Sequence, residues 1–424
     1  MEKSEDIVIV GGGIAGLATA LALKRVGIKA LVLERSPELR KTGTALSLFP
    51  NAWLALEALG VAHKLTSIYS PLRRGFVTNV ANGAIQQFTY TGISEKYSGP
   101  ITVHRRALLE TLAGELPTGT IRFSSKLTSI RTAAIDDEGS SGVILSLDDG
   151  TVIKAKVLIG CDGLHSVVAS WLGLKEPVKA NWSAIRGLAV FPEGHGYKKE
   201  EIYQFIDKGK RAGFVPLTDK ELYWGMSYSS TIKGEETATD PKSLQKDVIE
   251  NLAKDFPPSY LEVAQHADLA TVSWAPLMFR YPWNLLFGQV YKGSITVAGD
   301  AMHPMTPDLG QGGCSALEDA VVLGRHLGNS FLLNGRRIVA IEAAKAIEGY
   351  VKERRWRAAT LITGSYLSGW VQQGGSSSIM KFLRDTIFYK FLYRRVFDSI
   401  GYDCGKLPSV TSPSQSDDDQ IKID

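Results

Sequence analysis

Residues Ile7 to Glu34 read IVIVGGGIAGLATALALKRVGIKALVLE, and this stretch decides the fold. Ile7 to Val10 is an unbroken β-branched run, the pattern of a strand buried on both faces of a parallel sheet. Gly11, Gly13 and Gly16 follow in G-x-G-x-x-G spacing. In that device the first glycine permits a tight turn and the second lets the backbone approach a pyrophosphate. The third lets a helix press against the strand. Ile14, Leu17, Ala18, Leu21 and Ala22 make the next segment apolar on most faces, and Gly27 is placed to end it. Ala30 to Leu33 is a second apolar strand. It delivers Glu34 about 20 residues beyond the glycine turn, where a carboxylate meets a ribose. Strand, loop, helix, strand and acid in that order predict a dinucleotide site. Gly11, Gly13, Ile14, Ala15, Gly16, Glu34 and Arg35 are its expected contacts. NAD and FAD share the device, so the stretch alone does not choose between them.

The chain has 424 residues, 44% hydrophobic and 22% charged, with a net charge of +4. That is the balance of a soluble globular protein with room for two cores. Its basic residues are scattered, which argues against nucleic acid as a partner. Cys161, Cys314 and Cys404 lie far apart and are odd in number, so no disulfide framework is expected and a reducing compartment fits. The MEKSED start has no signal or transit pattern, and no apolar run reaches membrane-spanning length. The SQSDDDQIKID end carries no lipidation or peroxisomal signal. The expected location is cytoplasmic.

Beyond Glu34, Arg40 to Asn51 (RKTGTALSLFPN) reads either as a loop crossing the cofactor or as a plain connection to a helix near Pro50. Gly75 to Tyr90 is β-rich around an Asn82-Gly83 hairpin turn. Arg105 to Leu116 reads as a helix with Leu108, Leu109 and Leu112 on one face. Strands follow at Ile121 to Phe123, around the Asp148-Asp149-Gly150 turn, and at Val157 to Ile159, which runs into Gly160-Cys161-Asp162-Gly163. From Trp182 to Trp283 aromatic and β-branched residues dominate, with a helical insertion around Pro241 to Phe256. Ile202–Ile206, Gly213–Leu217 and Leu222–Tyr228 are expected strands of an antiparallel sheet. An apolar strand returns at Ile295 to Ala298. Helices are expected at Cys314–Leu327, at Ala343–Leu361 with a charged KERRWR face, and at Met380–Phe397. The Ser/Asp-rich tail beyond Pro408 is expected to be disordered. There is no internal repeat and no second glycine fingerprint behind a strand.

The strand at Ile295 ends in Gly299-Asp300, so a carboxylate stands at the carboxyl end, where open parallel sheets bind ligands. Gly310, Gly312 and Gly313 then let backbone amides approach a flat ring. The helix after them aims its amino end, with about half a positive charge, at the same place. A reduced flavin carries negative charge on its pyrimidine side, and this arrangement suits it. An NAD enzyme needs no second cofactor-facing helix this far along the chain, so FAD is favoured. His303 has no companion ligands at metal spacing and reads as structural. No metal site is expected.

Three motifs in order, GGGIAG (Gly11–Gly16), CDGLHS (Cys161–Ser166) and GDAMHPMTPDLGQGG (Gly299–Gly313), carry a resemblance. The chain resembles the class A FAD-dependent monooxygenases, the para-hydroxybenzoate and salicylate hydroxylase family. It is most similar to plant salicylate-hydroxylase-like and zeaxanthin-epoxidase-related members. The resemblance implies that Glu34 binds the adenosine ribose and that Arg105 contacts FAD. It places Asp162 and Gly163 at both FAD and NAD(P)H, Asp300 at the ribityl chain, and Pro307 to Gly313 beside the isoalloxazine. Two positions depart from the family pattern. Ala169 stands where an arginine is usual, and Cys314 where an asparagine is usual.

The fold expected is α/β: a discontinuous Rossmann-type FAD-binding domain (1–75, 99–181, 285–360) under an antiparallel-sheet substrate domain (76–98, 182–284). C-terminal helices (361–400) and a tail (401–424) complete it. The chemistry the resemblance implies is NAD(P)H- and O2-dependent hydroxylation of a small phenolic, carboxylated or otherwise electron-rich aromatic, through a flavin C4a-hydroperoxide. NADPH or NADH would be a transient co-substrate. No acid–base constellation announces a catalytic residue. Arg186, Tyr203, Phe205, Phe214 and Tyr228 are the expected pocket residues. Alternatives are an epoxidase, a non-oxygenating flavin oxidoreductase, or a flavin-binding regulatory protein. For the last, the basic amphipathic segment Ile379–Phe397 would dock a membrane surface or a partner.

Overall fold

In the computed structural model, residues 3–39, 44–90, 97, 99–132, 142–230, 232, 240–373 and 400–409 are described. Five strands run parallel in the order Ile121–Arg122, Leu31–Leu33, Lys3–Val10, Val152–Gly160 and Ile295–Val297. Ile7, Val8 and Ile9 are fully buried at the centre, as their unbroken apolar run requires. The antiparallel hairpin Leu127–Thr132/Val143–Leu147 extends the sheet beside the first half of Val152–Gly160. The chain moves to one side of Lys3–Val10 first and to the other later, so ligands meet the sheet at that switch point. The strand ends are tied there in a row: Gly11 N donates to Leu33 O (2.7 Å), Cys161 N to Val10 O (2.7 Å) and Ala298 N to Gly160 O (2.9 Å).

A second sheet has seven strands in the order Ser273–Phe279, Val178–Val190, Glu221–Ser229, Lys210–Pro216, Glu201–Asp207, Arg74–Asn79 and Ile85–Thr89. Neighbours are antiparallel except Glu201–Asp207 with Arg74–Asn79. One face packs on a helical layer. Phe205, Phe214, Trp224, Met226 and Tyr228 meet Val248, Phe256 and Tyr260 in a core separate from that of the parallel sheet.

The Arg40–Asn51 ambiguity resolves in part. Ala45–Leu48 is a strand paired antiparallel with Ile101–His104, and Pro50 opens the helix Pro50–Ala58. Residues 40–43 lie outside the described residues. Helix Gly312–Leu333 starts two residues before Cys314. Helix Ala340–Gln373 runs well past Leu361. Its KERRWR segment is not simply a charged face, because Arg354 is fully buried. The expected helix Met380–Phe397 lies outside the described residues, as do residues 410–424. Residues 401–409, assigned to the tail, pack on the domain: Cys404 is buried, and Leu407 lies against Gly324 of helix Gly312–Leu333. Among the described residues no helix is long and apolar enough to cross a membrane.

Candidate active site

At the row of strand ends lies a cavity of about 390 Å³. Its near wall is Gly11, Gly12, Gly13, Ile14 and Ala15. Gly11 has φ +105°, closed to most side chains, and a Cβ there would stand 2.4 Å from Cys161 O. A Cβ on Gly16 would lie 1.9 Å from Gly11 O, so the helix can seat against the turn only without one. Gly16 therefore supports the cavity from behind rather than lining it. A Cβ on Gly13 would meet nothing within 4 Å, which leaves the backbone open towards the cavity.

Two helices aim their amino ends at this space. Ile14–Arg25 and Gly312–Leu333 both begin without a side-chain cap and without an acid in the first turn. Their first amides are thus donors left over for a ligand, with the helix dipole behind them. Gly12, Gly13, Gly312 and Gly313 all line the cavity. A pyrophosphate fits the first helix end and an electron-rich ring edge fits the second.

Glu34 and Arg35 close one end. The Glu34 carboxylate is buried and accepts from Gly12 N (2.6 Å) and Ser36 N (2.8 Å). These amides fix it while leaving lone pairs for ribose hydroxyls. Ser125, Lys126 and His165 also line the cavity; of these only His165, inside CDGLHS, stands in a motif read from the sequence. Arg105 lines it from the start of helix Arg105–Gly114.

Asp162 and Gly163 line the cavity, but the Asp162 side chain serves its own loop. It accepts from Ser166 Oγ and from Val167 N (2.7 Å) at the start of helix Val167–Trp171. Burial pushes its carboxyl up, against the pull of those donors. Ser166 caps Ala169 N (2.8 Å). Ala169 is buried there and is not among the cavity residues.

Asp300 lines the cavity from the turn Gly299–Ala301, and a buried polar network holds that turn. Asp319 Oδ2 accepts from Gly299 N (2.8 Å) and pairs with His303 Nε2 (2.6 Å), while Oδ1 accepts from Arg354 Nε (2.7 Å). Glu318 accepts from Arg354, from Arg357 Nε (2.6 Å) and from Asn51 Nδ2 (2.6 Å). Burial alone would raise the Asp319 carboxyl, but His303 and Arg354 outweigh it and hold it down at about 2. Arg280, also buried, donates through Nη1 to Ala301 O (2.9 Å) and Met302 O (3.0 Å); burial pushes its guanidinium down to about 10. His303 is thus a structural partner of Asp319. Among the described residues no group of three or more His, Cys, Asp or Glu is placed to hold a metal.

Pro307 and Gly310 belong to the loop beside the cavity rather than to its lining. Gly310 has φ +65°, and a Cβ there would come 2.8 Å from the Phe49 ring. Cys314 staples this loop: its Sγ accepts from Phe49 N (3.5 Å) and donates to Gly310 O (3.5 Å). Burial pushes the thiol up to about 12.

The aromatic residues expected in a substrate pocket need correction. Phe205, Phe214 and Tyr228 are core, and Tyr203 packs against the same core with its hydroxyl on Glu201 Oε2 (2.6 Å). Pairing explains why. Tyr203 faces Phe214, Phe214 faces Trp224, and Phe205 faces Ala212 across the strands, so all lie on the helix-packed face. Arg186 has the opposite parity and does line the cavity. On its face the register runs Arg186, Gly225, Gly213, Gln204 across four strands. Arg211 and Tyr223 flank the two glycines on the same face. Arg211 donates to Gln204 Oε1 (3.2 Å) and pairs with Asp308 of the Gly310 loop (3.8 Å). Burial raises the Asp308 carboxyl and Arg211 lowers it, with burial prevailing. Burial also raises the Tyr223 phenol, which reaches the Thr44 side chain. Alternation, read as carefully as composition, would have put Arg211 and Tyr223 on the face of Arg186.

A parallel sheet with a glycine turn and Glu34 at its switch point, a second uncapped helix and a covering antiparallel sheet together define a flavin-dependent oxidoreductase fold. Residues 4–365 match the FAD binding domain family. Monooxygenase 2 of Arabidopsis thaliana is 41% identical over 414 residues, spanning 96% of this chain and 99% of its own length. The FAD-dependent urate hydroxylase of Klebsiella pneumoniae is 29% identical over 75% of this chain and 80% of its own. The structure of K. pneumoniae HpxO with FAD and uric acid superimposes with a TM-score of 0.79 at 25% identity, covering 95% of this chain and 98% of that one. The chain belongs to the FAD binding domain family and is a class A FAD-dependent monooxygenase.

Proposed function

We propose that this enzyme uses NAD(P)H and O2 to hydroxylate a small, flat, electron-rich aromatic compound carrying a negative charge. The observation that carries the reading is the cavity-side face of the second sheet. Gly213 and Gly225 pair across adjacent strands on the face that Arg186 shares. At Gly213 the Tyr203 carbonyl, 2.6 Å from where a Cβ would stand, already requires a glycine, whereas at Gly225 a Cβ would meet nothing closer than 3.5 Å, so there the bare backbone is open to a ligand. Arg186 and Arg211 flank that backbone with guanidinium donors suited to a carboxylate or a deprotonated ring. Asp308 and Gln204 orient Arg211. Tyr223, its phenol raised by burial, remains a hydroxyl donor at neutral pH. Relatives named for urate and for 3-hydroxybenzoate as substrates fit such a site.

The cofactor contacts proposed are those named from the sequence, except Gly16, which seats the helix behind the turn. Gly11, Gly13, Ile14 and Ala15 take the pyrophosphate, Glu34 the ribose, and Asp300 the ribityl hydroxyls. Arg35, Arg105, Asp162 and Gly163 stand at the rim, and Gly312 and Gly313 present amides to the ring, with Pro307 and Gly310 shaping the loop. When bound, FAD supplies reduction by the nicotinamide and activation of dioxygen. The chain's part is to hold the ring edge against two amide donors and to orient the substrate. It also closes water out between the two sheets.

The test is turnover of the FAD-loaded protein with NADH or NADPH against hydroxybenzoates, other phenols and urate, under isotopically labelled dioxygen. Labelled hydroxylated product is expected. Nucleotide oxidation without label in any product would overturn the oxygenase reading.

A further inference from the structure

Residues 400–409 return to the cofactor domain as a strap across the two long helices. The Tyr402 ring lies against Arg357, whose Cζ is 4.0 Å from the ring centroid, and its hydroxyl donates to Glu353 Oε1 (3.2 Å). The Cys404 carbonyl accepts from Arg325 Nη2 (3.4 Å). Leu407 and Pro408 sit so close to Gly324 and Gly328 that Cβ atoms there would lie 3.0 Å and 2.9 Å from them.

Arg357 is not an ordinary surface arginine: it donates to both oxygens of the fully buried Glu318. Glu318 shares Arg354 with Asp319, and Asp319 holds Gly299 N and His303. A continuous run of charge-assisted contacts therefore leads from Tyr402 to the turn that carries Asp300. The Arg357 side chain is 11% exposed, and the Tyr402 ring covers it. A π face over a guanidinium stabilises it and keeps water from screening its pair with Glu318.

We propose that Tyr402 is a positioning residue for the cofactor, acting through Arg357 and the buried acid pair on the Asp300 turn. This rests on the reading of the cavity as the FAD site. The experiment is FAD titration of the full-length apoprotein, followed by flavin fluorescence and absorbance well below the melting temperature. Tyr402→Ala is expected to weaken FAD about fivefold and to alter the bound flavin's absorption band. Tyr402→Phe, which keeps the ring, restores both. Leu407→Ala loosens the strap at its other end, away from Arg357. It is expected to lower the melting temperature while leaving FAD affinity within about twofold of wild type. FAD affinity unchanged in Tyr402→Ala, or falling with melting temperature alike in the Tyr402 and Leu407 variants, overturns the proposal. If Tyr402→Ala does not fold, Tyr402→Leu keeps bulk without the π face and is judged by the same outcomes. Failure of wild type itself to bind FAD would refute the cofactor site instead, and is separately visible.

Discussion

Replacing Asp319 by Asn tests whether the buried network holds the cofactor turn. The two residues have nearly the same shape, so the change is one of charge and acceptor count. Asp319 receives donors at both oxygens: Gly299 N and His303 at one, Arg354 Nε at the other. An asparagine amide offers only one oxygen, so its NH2 must face a buried donor, at about 1–3 kcal/mol. The carboxyl is held at about 2 instead of 3.8, worth about 2 kcal/mol of charge stabilisation. The total, about 3–5 kcal/mol, is what breaking a buried ion pair costs. Because the folded carboxyl lies below its unfolded value, this charge contribution is complete above about pH 4 and is lost as pH falls towards 2. Urea unfolding at pH 7 should show the full deficit, a midpoint shift approaching about 1 M for a chain of this size. The gap to wild type should narrow by about 2 kcal/mol in acid. FAD affinity should fall as well, since either orientation of the amide breaks the link between Arg354 and the Gly299 turn. A deficit under about 1 kcal/mol at pH 7, or one independent of pH, would refute the reasoning.

Three further outcomes are expected. Gly16→Ala places a methyl group 1.9 Å from Gly11 O and should leave the purified protein nearly free of flavin by its visible absorbance; wild-type flavin content would contradict the seating of the helix. Phe214→Ala should cost about 3–5 kcal/mol in urea unfolding, whereas Gly225→Ala, whose Cβ meets nothing closer than 3.5 Å, should keep stability and raise the KM for substrate. The reverse pattern would place the substrate on the other face of the sheet. Arg211→Met removes a group that lowers the Asp308 carboxyl and so moves it further up. A raised carboxyl costs stability as pH rises through its folded value, so the variant's deficit should be larger at pH 7 than at pH 4. Equal deficits would show that Arg211 does not neutralise Asp308.

The cofactor half of the fold was legible because its signals are local. The β-branched run, three glycines and an acid occupy 28 consecutive residues, and each acts on neighbours a few positions away. The Asp300 turn was legible for the same reason. What holds that turn was not. Asn51, Glu318, Asp319, Arg354 and Arg357 come from three helices spread over most of the chain, and a sequence window sees each as an ordinary polar residue. Arg354 and Arg357 even looked like an exposed charged face, because KERRWR carries its cations at helical spacing whether the helix faces water or a buried acid pair. The strap at 400–409 was missed by composition: a Ser/Asp-rich ending masked Tyr402, Cys404 and Leu407, which pack just before it.

The second sheet shows how a residue type can point the wrong way. Tyr203, Phe205, Phe214 and Tyr228 drew attention as pocket candidates because large aromatic rings line ligand sites. Large rings also fill cores, and a sheet covered by helices on one face has far more core than pocket. The decisive variable is parity. Once one residue of the sheet is assigned to a face, the register assigns the rest, since side chains alternate along each strand and align across neighbours. Arg186 lines the cavity, and Gly225 and Gly213 beside it, with Tyr223 and Arg211 two positions along their strands, lie on the same face of the sheet. The aromatics one step out of phase lie behind it. A ligand face in a sheet is marked by what a core avoids: glycines where backbone must be bare, and arginines that would be costly to bury without a partner. One device then recurs. Glycines bare the backbone at Gly11–Gly13 and Gly312–Gly313, which line the cavity, and on the proposed reading Gly225, on the face that Arg186 shares, does the same for the compound acted on.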